Sequence, residues 1–400
     1  MSKINKMIIS LLKSQLKSYI KATIQFVTKL FPNSLKTFVV PYGIKSYKDF
    51  KYIIIYPSIV SKRSIPKTIH KEVSSRFLNK LEERSSESFV LCLPGGISTN
   101  SGDNLTESGM LIEEVSKQTH LQKQEIEKHR IFSKVKFFQV KKYDGSVATL
   151  TTQSESNYFH WLFNALPKIH LLDESGLKTE KIYVQVRRKF QEESLKVIGY
   201  ESERIINSSA YPFLSASKLV IPSLPDYESV GNITAWSCDF LRKKILTYSF
   251  DKLDSSQKKF RKIYISRADA GSRKVINEPE VISFLQKYGF IVIKLEYMSF
   301  LDQVNLFKNA EVVVAPHGAG LSNLVFCSEK TKIIEIFAPN YISLCFWFIS
   351  QHVGLDYYYL IGEGKDPLDY LNARFKTDNI KVDLIKLRET FELASISICS

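Results

Sequence analysis

The chain is poor in cysteine and has no cysteine pattern. Cys92, Cys238, Cys327, Cys345 and Cys399 are widely scattered. An odd, unspaced set argues against a disulfide framework or a thiolate metal site, and the five read as reduced cytoplasmic thiols. Acid is missing from residues 1–36, which hold seven lysines. No Asp-x-Asp occurs anywhere, so a paired-carboxylate metal clamp is absent. No Gly-x-Gly-x-x-Gly follows a strand pattern, and there is no Walker loop or nucleophile elbow; Gly318-Ala319-Gly320 alone is a weak fragment. Long apolar runs are also lacking near the start. The longest there is Met7-Ile8-Ile9, too short to span a membrane, and lysines interrupt any secretory core.

What is present is an ordinary apolar fraction of 44% over 400 residues, enough for more than one domain. The net charge is +15, and the lysines of the first 36 residues supply about half of it. Met1 to Phe31 reads as a helix. Ile4, Met7, Ile8, Leu11, Leu12, Leu16 and Ile20 share one face, and Lys3, Lys6, Lys13, Lys17 and Lys21 the other. A basic amphipathic helix lies on an anionic membrane surface, or packs on its own domain with the lysines in water. Nucleic acid is not expected as a partner, since no stacking platform accompanies the charge.

The order of strands and helices implies an α/β fold. Four segments are expected: a basic helix over 1–35, an α/β unit over 36–255, a second over 256–362, and a helical tail over 363–400 that could cross back over the first unit. Lys252 to Lys262 is the candidate linker. The second unit alternates most clearly, with strands at Lys262–Ser266, Phe290–Lys294, Val312–Ala315, Lys332–Phe337 and Tyr357–Leu360. Such parallel sheets bind ligands at the carboxyl ends of their strands.

Three blocks carry candidate chemistry. Val312 to Ala315 is a β-branched strand that breaks at Pro316 and runs through His317-Gly318-Ala319-Gly320-Leu321-Ser322-Asn323 into an apolar, helical stretch. Free amides at a helix start bind phosphate, with His317 at the same rim. Ser266-Arg267 and Arg273, then Asn277 and Glu278, follow the first strand of that unit. Guanidinium forks suit phosphate oxygens, although arginines on a loop are often only surface residues. In the first unit, Asn157, His160 and Asn164 share one face of an otherwise apolar helix. His160 is a general base there or a satisfied core histidine.

Together, Asn157-Tyr158-Phe159-His160-Trp161-Leu162 with Leu166-Pro167, Tyr264-Ile265-Ser266-Arg267 with Arg273 and Asn277-Glu278, and Pro316 to Asn323 resemble glycosyltransferase family 61 over roughly residues 90–360. The resemblance implies a GT-B-like architecture, two Rossmann-like α/β domains facing a cleft. It implies inverting, metal-independent transfer from a nucleotide diphosphate sugar to a glycan or lipid-linked acceptor. No cofactor is expected. Arg267, Arg273, Asn277, Glu278, His317, Gly318, Ala319, Gly320, Ser322, Asn323 and Glu335 would bind the donor, and His160 and Asn157 would be catalytic. A bacterial, capsular or lipopolysaccharide-type member is expected, peripheral on the inner membrane face through residues 1–31. The alternatives are a catalytically idle nucleotide- or glycan-binding protein and a basic scaffold.

Overall fold

The computed structural model describes residues 38–39, 41–116, 123–132, 138–227, 231–252, 260–365, 369 and 374–398. The basic helix expected over 1–31 and most of the linker expected over 252–262 lie outside them. Among the described residues, no helix is long and apolar enough to cross a membrane.

The first half is built on a mixed sheet. Its main strands are β1 (Ser88–Pro94), β2 (Lys141–Thr149), β3 (Lys181–Val184), β4 (Ile205–Asn207) and β5 (Phe213–Pro222). The order β4-β3-β2-β5 is parallel throughout. Beyond β5 the sheet turns antiparallel, pairing β5 with β1 and with Ile97–Thr99. The Pro94-Gly95-Gly96 loop permits that turn, with Gly95 at φ +63°. Strand β2 starts six residues earlier than Val147, the start its apolar end suggests, because its first part is polar and only its end is buried. Helix α1 (Pro167–Glu174) follows β2, and α2 (Lys189–Ile198) follows β3; α3 (Ala235–Leu241) comes after β5.

The second half matches its expected rhythm closely. Strands β6 (Lys262–Ile265), β7 (Ile291–Ile293), β8 (Val312–Pro316), β9 (Lys332–Phe337) and β10 (Asp356–Ile361) form one parallel sheet in the order β7-β6-β8-β9-β10. Helices α4 (Glu278–Gln286), α5 (Phe300–Asn309) and α6 (Cys345–Val353) connect them, and α7 (Leu384–Leu393) closes the chain. Side chains alternate across the sheet. Ile263, Ile265, Val313, Ala315, Ile333, Tyr357 and Tyr359 face the largest core, and Tyr264, Val312, Val314, Ile334, Tyr358 and Leu360 face a second. Both faces are thus covered, which is why these strands read as continuous apolar runs. Leu387 and Phe391 of α7 pack into that second core, so the last helix lies on its own sheet.

The largest core does not stop between the halves. It joins Leu150, Trp161, Leu166 and Ile182 to Val313, Leu324, Phe337 and Trp347. Phe77, fully buried, stacks on Tyr359 and meets Trp347 edge-on. In this sheet order the strand sequence reverses between β6 and β8, and the crevice beyond their carboxyl ends is the natural ligand position.

Candidate active site

A cleft of about 300 Å³ opens at that reversal, lined by Ser266, Arg267, Asp269, Leu295, Glu296, Pro316, Gly318 and Gly320 among others. Gly318 is extended (φ 180°), so its need for glycine is one of space. A Cβ there would lie 2.0 Å from Arg267 Nη1. The guanidinium rests directly on the loop backbone. After Gly318 the expected helical stretch is a 3₁₀ helix, Ala319–Phe326. Its first bond runs from Leu321 N–H to the Gly318 carbonyl, so the amides of Ala319 and Gly320 come before any internal partner.

Arg267 is half-buried. One Nη2–H donates to the Ser272 carbonyl at 2.9 Å, and its buried Nε has no partner among the described residues. Burial and the neighbouring Arg273 lower its pKa to about 10, with Glu296 opposing. Arg273 sits at φ +54°, a left-handed conformation that costs a residue with a Cβ roughly 1–2 kcal/mol. Its Nε–H donates to the His317 carbonyl at 3.0 Å, and its Nη1 donates to the Lys376 carbonyl. Burial lowers its pKa too. Neither guanidinium has a carboxylate within ion-pair distance among the described residues. Two desolvated cations without a carboxylate partner call for an anion.

His317 is not at the rim. It is buried, stacked on Phe337 and close to Phe346. Its Nδ1–H donates to Glu335 Oε1 at 2.5 Å, and the Tyr357 hydroxyl donates to Glu335 Oε2 at 2.5 Å. Sheet alternation brings these groups together, since residues 335 and 357 face the same side of paired strands. Burial lowers the His317 pKa, with Glu335 opposing. Glu335 is among the residues expected to bind the donor. Both its oxygens are taken, and it is fully buried, so it positions His317 and through it the carbonyl that holds Arg273.

Asn323 is also committed. Its Oδ1 accepts from the Tyr158 hydroxyl at 2.7 Å, and its Nδ2 donates to Gln303 Oε1 and the Gly320 carbonyl. Ser322 is fully buried and its Oγ has no partner among the described residues. Asn277 and Glu278 lie away from the cleft. Asn277 clips the backbone of Val382 from both sides, and Glu278 Oε1 accepts from Tyr264, whose side chain faces the second core. Their place just after the Arg267 loop suggested a shared site, but the intervening residues carry them across the sheet.

In the first half, Asn157 caps the helical run, accepting from the Phe159 amide at 2.9 Å. Three pieces follow: an α turn Tyr158–His160, a π turn Trp161–Ala165, and α1. Pro167 accounts for the π turn. It has no N–H to give Phe163, and its ring pushes that turn open, so Leu166 N–H reaches back five residues to Trp161. In that geometry His160 Nδ1 meets Asn164 Oδ1 at 2.9 Å. An amide oxygen only accepts, so Nδ1 carries the proton and Nε2 is left with a free lone pair. Burial holds His160 below its ordinary pKa, with the Asn164 bond opposing. The run abuts the Gly318 loop, since Phe159 meets Phe346, which meets His317.

Leu295 and Glu296, not singled out from the sequence, also line the cleft, as does Asp269 of the Arg267 loop. The one signal that points to them is their place after the carboxyl ends of β6 and β7. Among the described residues, no group of three His, Cys, Asp or Glu is placed to hold a metal.

Residues 158–334 match the family model "Glycosyltransferase 61", which spans the His160 run, both arginines, the anion loop and β9 up to Ile334. The chain is 32% identical over 98 residues to a beta-1,2-xylosyltransferase of Arabidopsis thaliana, covering 21% of this chain and 18% of that protein. It is 32% identical over 133 residues to an EGF domain-specific O-linked N-acetylglucosamine transferase of Drosophila melanogaster, covering 30% and 25%. It is 26% identical over 187 residues to beta-1,2-xylosyltransferase RCN11 of Oryza sativa subsp. japonica, covering 42% and 35%. The chain therefore spans about a third or less of the length of these curated relatives. Residues 158–334 thus resemble glycosyltransferase family 61, and each of these three relatives is a glycosyltransferase by name.

Proposed function

We propose that the chain is an inverting, metal-independent glycosyltransferase that moves a sugar from a nucleotide diphosphate sugar to a glycan or glycolipid acceptor. The observation that carries this reading is the pair of desolvated arginines, without carboxylate partners, over Gly318 at the sheet's reversal point. They supply positive charge where a diphosphate leaves. In the reaction, His160 Nε2 takes the proton of the acceptor hydroxyl. The oxygen attacks the anomeric carbon from the face opposite the diphosphate. The bond from that carbon to the β-phosphate oxygen breaks, and the oxygen leaves with the electron pair. Arg267, Arg273 and the amides of Ala319 and Gly320 meet its charge. The relatives' names include xylosyl- and N-acetylglucosaminyltransferases, so the donor panel begins with those sugars. A GT-B layout is part of this reading, as is attachment of the enzyme to a membrane for surface glycan synthesis, the latter on the charge of residues 1–36 alone.

Transfer assays with Arg267→Ala and Arg273→Ala test it. Each removes a charged hydrogen-bonding group worth about 1.5–3 kcal/mol, so donor affinity or transfer should fall roughly 10- to 100-fold in a folded protein. EDTA should leave wild-type transfer unchanged. Full activity of both variants refutes the anion seat, and loss of activity in EDTA refutes the metal-free part.

A further inference from the structure

Strand β7 ends at Ile293, and Leu295–Tyr297 follows as a 3₁₀ turn. Leu295 pins that turn. Its side chain is buried, and its Cδ1 lies 2.7 Å from where a Cβ of Gly320 would be. The turn is thereby fixed beside the anion loop, with the exposed Glu296 side chain on the cleft wall.

Two carboxylates line this cleft, Asp269 and Glu296. Asp269 is engaged. Its Oδ2 accepts from Lys294 Nζ at 2.8 Å and from the Tyr297 hydroxyl at 3.3 Å. Glu296 has no hydrogen bond or ion pair among the described residues. It is close enough to influence Arg267, yet it does not pair with it. An unpaired negative charge on the wall of an anion site weakens anion binding unless the ligand itself uses the carboxylate. A carboxylate accepts two hydrogens side by side, which suits a vicinal diol. Its position fits as well. It stands at the carboxyl end of β7, next to the strand whose loop carries Arg267 and with that strand between it and the Gly318 loop, on the side where a ribose lies when its diphosphate sits at the reversal point.

Resting on the nucleotide-sugar reading above, we propose that Glu296 accepts hydrogen bonds from the two ribose hydroxyls of the donor and makes the site selective for ribonucleotides. A site built to bond a hydroxyl discriminates strongly against the analogue that lacks it, because its own polar group is left unpaired.

Calorimetric titration of the full chain tests this with the common ribonucleoside diphosphates, their 2′-deoxy counterparts, and inorganic pyrophosphate. The wild type should prefer the ribo form by at least about tenfold. Glu296→Gln and Glu296→Ala should shrink that preference, with Glu296→Ala abolishing it, while pyrophosphate binds as tightly as before or more so, since a negative charge near Arg267 is gone. An unchanged ribo-to-deoxy ratio in both variants overturns the proposal, as does an equal weakening of pyrophosphate. A wild type that binds pyrophosphate but no nucleoside diphosphate overturns the ribose role and leaves the anion seat standing. A wild type that binds neither overturns the diphosphate seat and this role with it.

Discussion

His160 has its proton placed by a neighbour that cannot titrate. The Asn164 oxygen fixes it on Nδ1, and burial lowers the ring's pKa below its ordinary value near 6.5. A general base works only when neutral, so kcat/KM for transfer should fall as pH drops through this lowered pKa. On this account the acid limb lies below about 6.5. Asn164→Asp replaces the amide with a carboxylate, which favours the imidazolium and raises the His160 pKa. The acid limb should then move to higher pH, with activity recovering on the alkaline side. His160→Ala should lower the rate roughly 10²- to 10⁴-fold while donor binding persists. An acid limb that stays put in Asn164→Asp rejects His160 as the titrating base. Neither the tautomer nor the burial is readable in the sequence. Spacing alone put His160 and Asn164 on one helix face.

Several elements meet on one side chain. Asn323 links the start of the His160 run through Tyr158, α5 through Gln303, and its own loop through Gly320. Its fully buried amide has partners for both ends, and Tyr158→Phe removes one of them. Leaving the Asn323 oxygen unpaired should cost about 1–3 kcal/mol, seen as a lower urea midpoint with an unchanged slope. The same change should weaken donor binding, because the Gly320 loop loses a tether. A variant with wild-type stability would show that the bond carries no weight. Short continuous runs of apolar, largely β-branched residues made the five strands of the second sheet legible, because local preference and burial agree there. Glu335, Asn277 and Asn323 were legible as polar residues near the motifs, but their roles were not. Each is spent on a partner 18 to 165 residues away in sequence, and such pairings follow from register and packing that no local pattern contains.

At the scale of the whole molecule, the halves are tied by more than a shared core. Glu193 of α2 accepts from the Phe300 amide at the start of α5 at 2.7 Å, and Arg242, just after α3, donates to the carbonyls of Val325 and Cys327 at the end of the 3₁₀ helix. His160 and the loop from Pro316 to Asn323 are thus held by one packed unit. Charge is distributed differently. Residues 1–36 carry seven of the net fifteen positive charges with no acid among them, leaving +8 for the rest. Each lysine near an anionic bilayer contributes about 1 kcal/mol, an attraction that salt screens within a Debye length of roughly 8–10 Å at 0.1–0.15 M. The full chain should therefore float with vesicles of anionic lipid at low salt, float less at high salt, and stay behind with zwitterionic vesicles. Replacing Lys3, Lys6, Lys13, Lys17 and Lys21 with Gln in the full chain should abolish flotation without changing soluble transfer or the cooperativity of unfolding. Flotation that survives those substitutions places the membrane contact elsewhere, on the +8 of the remaining chain, and removes the first segment's claim to it.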